Sequence, residues 1–261
     1  MYVHTQARPD GWKYEPQSIG GKRVIITGGT TGMGRTVALL LASQGAKVLI
    51  FGRHEDKLND ALEDMGDYAE RVHGITADVS SEDDVDRVFA EADDKLGGLD
   101  ALINNAGLPG ESITGTDPEH YRYIIETNLI GQLAAARRAV PRLEKTGGGT
   151  IVNIGSLSAR ERGPGSDIYT AAKTALRGFS DSLGKQLQEK KIRVSLIEPG
   201  STGADFHPTP PEEERKLEAR GEMLCTEAIA EALHYVLIQP PHVYIPLIQV
   251  QPIGEAVAGS T

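Results

Sequence analysis

The chain has 261 residues, 39% of them hydrophobic and 25% charged, with a formal net charge of −10. That length fits one large α/β domain with a sizeable core, and an acidic surface argues against general nucleic-acid binding, which needs clusters of lysine and arginine. No run is long and apolar enough to cross a membrane, and the polar first residues lack a signal peptide's apolar segment, so a cytoplasmic protein is expected.

A polar arm, residues 1–19, carries Trp12 and Tyr14; it reads as a frayed tail or as an aromatic contact to a neighbouring subunit. Val24-Ile25-Ile26 then reads as a short buried strand. Val37, Leu40 and Leu41 share one face of a following helix, which Gly45 is placed to end. Val48-Leu49-Ile50-Phe51 is a second strand and 56–65 a second helix, followed by a third strand at 72–77 and a charged amphipathic helix at 81–96. A strand at 99–103, one long helix at 118–143 and a strand at 150–154 come next. They are followed by a helix running to about Gln188, a strand at 192–197, a helix at 226–238 and a last strand at 243–250. Short strands alternating with helices imply βαβ units, and right-handed crossovers make them a parallel sheet of about seven strands covered on both faces. Residues 20–251 are therefore expected to form a single doubly wound α/β domain, with 252–261 as a tail.

Residues 201–225 stand outside this rhythm. They contain Pro208-Thr209-Pro210-Pro211 and a charged helical stretch with a Glu212–Lys216 pair, and read as a substrate lid at the ligand edge of the sheet or as solvated surface. Cys225, the only cysteine, permits no intramolecular disulfide and reads as a buried, inert thiol. The seven histidines show no ligand spacing, so no metal is expected.

Doubly wound sheets bind ligands beyond the carboxyl ends of their strands, and the motifs fall there. Between the first strand and first helix stands Thr27-Gly28-Gly29-Thr30-Thr31-Gly32-Met33-Gly34. Glycines here let the backbone approach a pyrophosphate and aim helix N-terminal N–H groups at it. At the end of the second strand an acidic residue would hold the ribose 2′-hydroxyl of NAD; this chain has Gly52-Arg53. A guanidinium pairs with a 2′-phosphate, so NADP(H) is expected rather than NAD(H). Asp78-Val79 and Asn104-Asn105-Ala106-Gly107, at two further strand ends, suit the same groove, although either could be turn chemistry.

Tyr169 and Lys173 stand four apart on a helix and share a face, with Ser156 thirteen residues before the tyrosine. A free phenol titrates near pH 10, and a nearby ammonium favours the phenolate. Such a tyrosine can take the proton of an alcohol or return one to a carbonyl, while Ser156 holds the same oxygen and a nicotinamide moves the hydride. Leu157, Ile168 and the lid are expected to shape the substrate pocket. Arg160 and Arg162 could meet an anionic substrate or form a solvated loop around Glu161.

Together these motifs closely resemble the classical short-chain dehydrogenase/reductase family, over roughly residues 20–250. The resemblance implies a Rossmann-type fold and an oxidoreductase acting on a small carbonyl or alcohol substrate with NAD(P)(H). It matches the family's catalytic Asn, Ser, Tyr and Lys to Asn128, Ser156, Tyr169 and Lys173, and its cofactor contacts to Thr27 through Gly34, Asp78, Asn104 through Gly107, and the turn Pro199-Gly200. It implies that Asn128 positions a water that links Lys173 to solvent, that Lys173 also holds the nicotinamide ribose, and that the chain is a homodimer or homotetramer joined through the long helix and the Tyr169 helix. After Pro199-Gly200 the chain departs from the commoner pattern with Ser201-Thr202-Gly203, which leaves Thr202 as one candidate for the carboxamide contact. Residues 239–243 look like the branch acting on hydroxy acids and similar small alcohols. A cofactor-binding regulatory sensor without turnover is the other reading of the chain.

Overall fold

The computed structural model describes residues 14–161, 163–203 and 209–254. Seven strands form one parallel sheet in the order β3-β2-β1-β4-β5-β6-β7. They are β1 (Arg23–Thr27), β2 (Lys47–Gly52), β3 (Val72–Thr76), β4 (Ala101–Asn104), β5 (Gly149–Ile154), β6 (Ile192–Pro199) and β7 (Leu247–Val250). The strand order reverses where β1 pairs with β4, with Ile25 opposite Leu102, and a crevice opens beyond the strand ends there.

The central strands are apolar along their whole length because both faces are covered. Val24 and Ile26 pack with helices α1 (Gly32–Ser43) and α2 (Glu55–Asp64) on one face, while Ile25 and Leu102 pack with α3 (Glu82–Leu96) on the other. The period-two alternation of the strand thus divides one apolar run between two cores. Ser81 caps α3 by accepting from the N–H of Asp84, and Gly97 at φ 71° turns the chain out of it.

The expected single helix at 118–143 is two. α4 (Pro118–Ile125) passes through a π turn, Glu126–Ile130, into α5 (Gly131–Lys145). The Asn128 amide donates to the Ile124 carbonyl at 2.9 Å, the acceptor that its own backbone N–H would use in an α-helix. That competition widens the turn. A short helix, α6 (Ser158–Glu161), precedes the long α7 (Asp167–Leu187), and α8 (Pro211–Ala219) and α9 (Thr226–Leu237) follow β6.

Four further expectations are corrected. The last strand starts at Leu247 rather than 243, because Pro246 has no N–H to give; Tyr244 and Ile245 instead meet β6 through the Tyr244 hydroxyl on Val194 O (2.9 Å) and the Ser195 hydroxyl on Ile245 O (2.6 Å). Lys216 pairs with Glu213 at 3.1 Å and not with Glu212; on an exposed face the choice between them costs little. Cys225 is exposed, since it caps α9 while Met223, two residues earlier, turns into the interior. Residues 14–19 are not frayed: the Tyr14 hydroxyl donates to Gln239 (2.7 Å), Gln17 N–H to Ile238 O (2.6 Å), and Ile19 joins the core of this same chain. Trp12 and Pro208 lie outside the described residues. No described helix is long and apolar enough to cross a membrane.

Candidate active site

At the end of β1 the Thr27 hydroxyl accepts from the N–H groups of Asn105 (2.9 Å) and Ala106 (2.8 Å). The Asn105 amide donates back to the carbonyls of Thr27 (3.1 Å) and Gly28 (2.9 Å). The two strands at the switch point are therefore stitched together by side chains, and the glycine turn is held open against them. Gly34 lies where a Cβ would stand 2.2 Å from the Gly28 carbonyl oxygen and 2.5 Å from the Asn105 amide nitrogen, so only hydrogen fits. The N-terminus of α1 has no acidic residue in its first turn and no side-chain cap, leaving its first N–H groups directed outward.

A cleft of about 560 Å³ runs along this turn. Gly28, Thr30, Thr31, Gly32 and Met33 form one wall, and Asn105, Ala106 and Gly107 another. Arg53, Asp78 and Val79 stand at the far end. Arg53 is exposed; its guanidinium sits 5.3 Å over the Tyr123 ring and donates to the Tyr123 hydroxyl, which donates in turn to Asp78 Oδ2 at 2.8 Å. Burial, followed by Asp78, pushes the Tyr123 phenol up. Tyr123 was not legible in the sequence, since nothing about an aromatic on α4 marks it as facing the end of β2. Lys57, which also lines the cleft, had a signal: it stands four residues after Arg53, at the start of a helix.

The second half of the site follows β5. The Ser156 hydroxyl accepts from the Ser158 N–H (3.1 Å) and contacts the Ser158 hydroxyl (3.2 Å), so it is seated on the start of α6. It is also hydrogen-bonded to the Tyr169 side chain. Lys173 is buried, with its ammonium donating to the Ile154 carbonyl at 2.9 Å and lying 5.5 Å from the centre of the Tyr169 ring. Burial pushes the Tyr169 phenol up to about 12, with the Ser156 hydrogen bond pulling the other way, and brings Lys173 down to about 8. The expected lowering of the phenol by its lysine is thus reversed in the protein alone, because low-dielectric surroundings disfavour both charged forms.

Ser156, Tyr169, Lys173, Pro199, Gly200 and Thr202 line one cavity of about 340 Å³. Met33, Asn105 and Gly107 border both this cavity and the cleft along the glycine turn, so the two adjoin. Thr202 turns its hydroxyl onto the Gly200 carbonyl at 3.0 Å. Leu157 and Glu161 reach the cavity wall, whereas Ile168 is packed inside and Arg160 is drawn away to Gln249 at 2.8 Å. Arg162 lies outside the described residues; of the expected lid, Ser201 and Thr202 reach the wall. Asn128 is fully buried and spends its amide on Ile124 and on both backbone groups of Leu108, and so bears on the site through the loop after β4. That loop holds a residue the sequence did not reveal. A Cβ on Gly110 would fall 2.1 Å from Cβ of Tyr169, so its missing side chain lets the loop lie against the tyrosine.

Residues 22–215 match the family model described as short chain dehydrogenase. An uncharacterized oxidoreductase of Staphylococcus haemolyticus is 34% identical over 236 residues, covering 90% of this chain and 99% of that protein. One of Staphylococcus aureus strain MRSA252 is 33% identical over 237 residues, covering 89% of this chain and 97% of that protein. Among solved structures, a short-chain type dehydrogenase/reductase from Mycobacterium marinum superposes with a TM-score of 0.81 at 26% identity, covering 90% of this chain and 95% of that one. A 3-ketoacyl-(acyl-carrier-protein) reductase from Brucella melitensis, complexed with NADH, gives a TM-score of 0.81 at 28% identity, covering 90% of this chain and 98% of that one.

Proposed function

The chain belongs to the short-chain dehydrogenase family and is an oxidoreductase, and from that premise we propose that it interconverts a carbonyl and a secondary alcohol, using NADP(H) in preference to NAD(H) and Tyr169 as the acid or base. The observation that carries the reading is that the glycine-turn cleft and the cavity holding Ser156, Tyr169 and Lys173 share a wall of Met33, Asn105 and Gly107.

A nicotinamide dinucleotide fits the residues present. Gly28 through Gly34 would take the pyrophosphate, Asp78 and Val79 the adenine, and Lys173, Pro199, Gly200 and Thr202 the nicotinamide half. Arg53 just after β2 and Lys57 on α2 both line the cleft and support a 2′-phosphate there, with Asp78 the one carboxylate among its lining residues. When bound, the cofactor supplies or accepts the hydride. The rest belongs to the chain. In reduction, Ser156 donates a hydrogen bond to the carbonyl oxygen and Tyr169 gives that oxygen its proton. A phenol near 12 is fully protonated at neutral pH and so stands ready as a donor. The phenolate left behind is stabilised by the Lys173 ammonium, whose value near 8 keeps it mostly charged at pH 7. Asn128 anchors the loop against Tyr169, and we assign the exposed Ile130 beside it, 44% accessible, to a self-association face giving a homodimer or homotetramer.

The test is to titrate wild-type and Tyr169→Phe protein with NADPH and NADH while screening ketones, aldehydes and alcohols for turnover. Expected are turnover by wild type and a variant that binds cofactor but is slowed roughly 10²- to 10⁴-fold. Tight cofactor binding with no turnover in either protein would instead make the chain a sensor.

A further inference from the structure

Glu198 is the last residue but one of β6, immediately before Pro199 and Gly200, and its side chain is entirely buried. A carboxylate in that position persists only with charged or hydrogen-bonding partners. Arg177 Nη1 bridges both of its oxygens, at 2.7 and 2.8 Å, and Gln249 Nε2 donates to Oε2 at 2.7 Å. Gln249 then accepts from Arg160 Nη1 at 2.8 Å through its own oxygen. The four residues sit on four elements: Arg177 on α7, Glu198 on β6, Gln249 on β7 and Arg160 on α6.

Both ends of this chain of bonds terminate beside the site. Arg177 is one helical turn beyond Lys173 and two beyond Tyr169. Arg160 belongs to the short helix whose first residue, Ser158, seats the Ser156 hydroxyl. Between them the Glu198 side chain passes beneath Gly155, where an added Cβ would come within 3.1 Å of Glu198 Cγ. We propose that Glu198 is a positioning residue: its carboxylate, acting through Arg177 on one side and Gln249–Arg160 on the other, sets the spacing between the Ser156 hydroxyl and the Tyr169 phenol. This rests on the oxidoreductase reading of the site. Apolar packing would hold these elements together without fixing their slide past one another; hydrogen bonds of narrow length and angle, radiating from one carboxylate, fix it.

The experiment compares Arg160→Ala, Gln249→Leu and the double variant, all of which leave the buried Glu198–Arg177 pair intact, with Glu198→Gln as the more severe change. Turnover is measured together with the NMR signal of the Tyr169 phenol carbon, assigned by its loss in Tyr169→Phe. Because Arg160 and Gln249 act as one linkage, each single variant and the double are expected to lose about tenfold in kcat alike, with the dissociation constant for NADPH unchanged and the Tyr169 signal displaced. An unmoved signal with unchanged kcat, or losses that multiply in the double variant, would overturn the proposal. If wild type turned over no carbonyl or alcohol, the oxidoreductase mechanism would fall by itself, and the Tyr169 signal would still decide whether the linkage sets its environment.

Discussion

The two halves of the cleft are built on opposite principles. The glycine-turn half is shaped by what is missing: backbone turns, a Gly34 with no room for a methyl group, and side chains such as Thr27 and Asn105 that spend their polar atoms on backbone partners. The chemical half is shaped by what is buried, with a phenol and an ammonium held where neither charged form is welcome. The first half should therefore tolerate changes of charge and fail on changes of bulk, and the second the reverse.

The sharpest test of that contrast is Lys173→Met, which keeps volume and removes charge. Below pH 8 Lys173 is protonated in both the folded and unfolded chain, and the fold bears the full cost of burying the ammonium. Between about 8 and 10.5 the folded chain has released the proton that the unfolded chain still holds, so wild-type stability rises with pH across that window. The displacement corresponds to roughly 3 kcal/mol. Wild type is expected to gain about that much on Lys173→Met as pH climbs through the window, measured by urea denaturation at several pH values; a stability difference that stays flat from pH 7 to 10.5 would count against the burial cost.

Next in size is Gly34→Ala, a single methyl group 2.2 Å from the Gly28 carbonyl oxygen. It should cost about 2 kcal/mol of stability and weaken both NADPH and NADH, because the turn itself must shift. Unaltered cofactor affinity would mean the turn yields more readily than its contacts indicate. The smallest effect belongs to Arg53→Asp at the exposed rim. About a tenfold fall in the preference for NADPH over NADH is expected, with Tm little changed. An unchanged preference would remove Arg53 from the proposed 2′-phosphate site.

The order and nature of the strands were legible because buried parallel strands are continuous apolar runs, as at Val24-Ile25-Ile26 and Val48-Leu49-Ile50-Phe51. The residues proposed for cofactor and chemistry were legible as well, lying where the crevice of such a sheet opens; the structure brings Ser156, Tyr169 and Lys173 to one wall. What escaped depends on single hydrogen bonds or on tertiary neighbours. The π turn at Glu126–Ile130 follows from one amide on one carbonyl, which leaves no mark on a helical periodicity. The roles of Tyr123, Gly110 and Glu198 come from residues 45, 59 and 21 positions away, the closest separations at which their partners Asp78, Tyr169 and Arg177 lie. Burial of Cys225 was mistaken for the same kind of reason, because which residue of a turn faces inward is settled by the bridge between Thr202 and Leu224.

The loop after β4 is fastened along its length. Asn128 grips both backbone groups of Leu108, Gly110 lies on Tyr169, and the Asp167 carboxylate at the start of α7 takes the N–H of Ile113 at 2.9 Å. A rim riveted at three points cannot swing outward without breaking the geometry around Tyr169. The facing wall is braced as well, the Leu224 N–H reaching the Ser201 carbonyl and the Gly203 N–H the Leu224 carbonyl, each at 2.8 Å, so the cavity around Tyr169 is walled on both sides by tethered backbone.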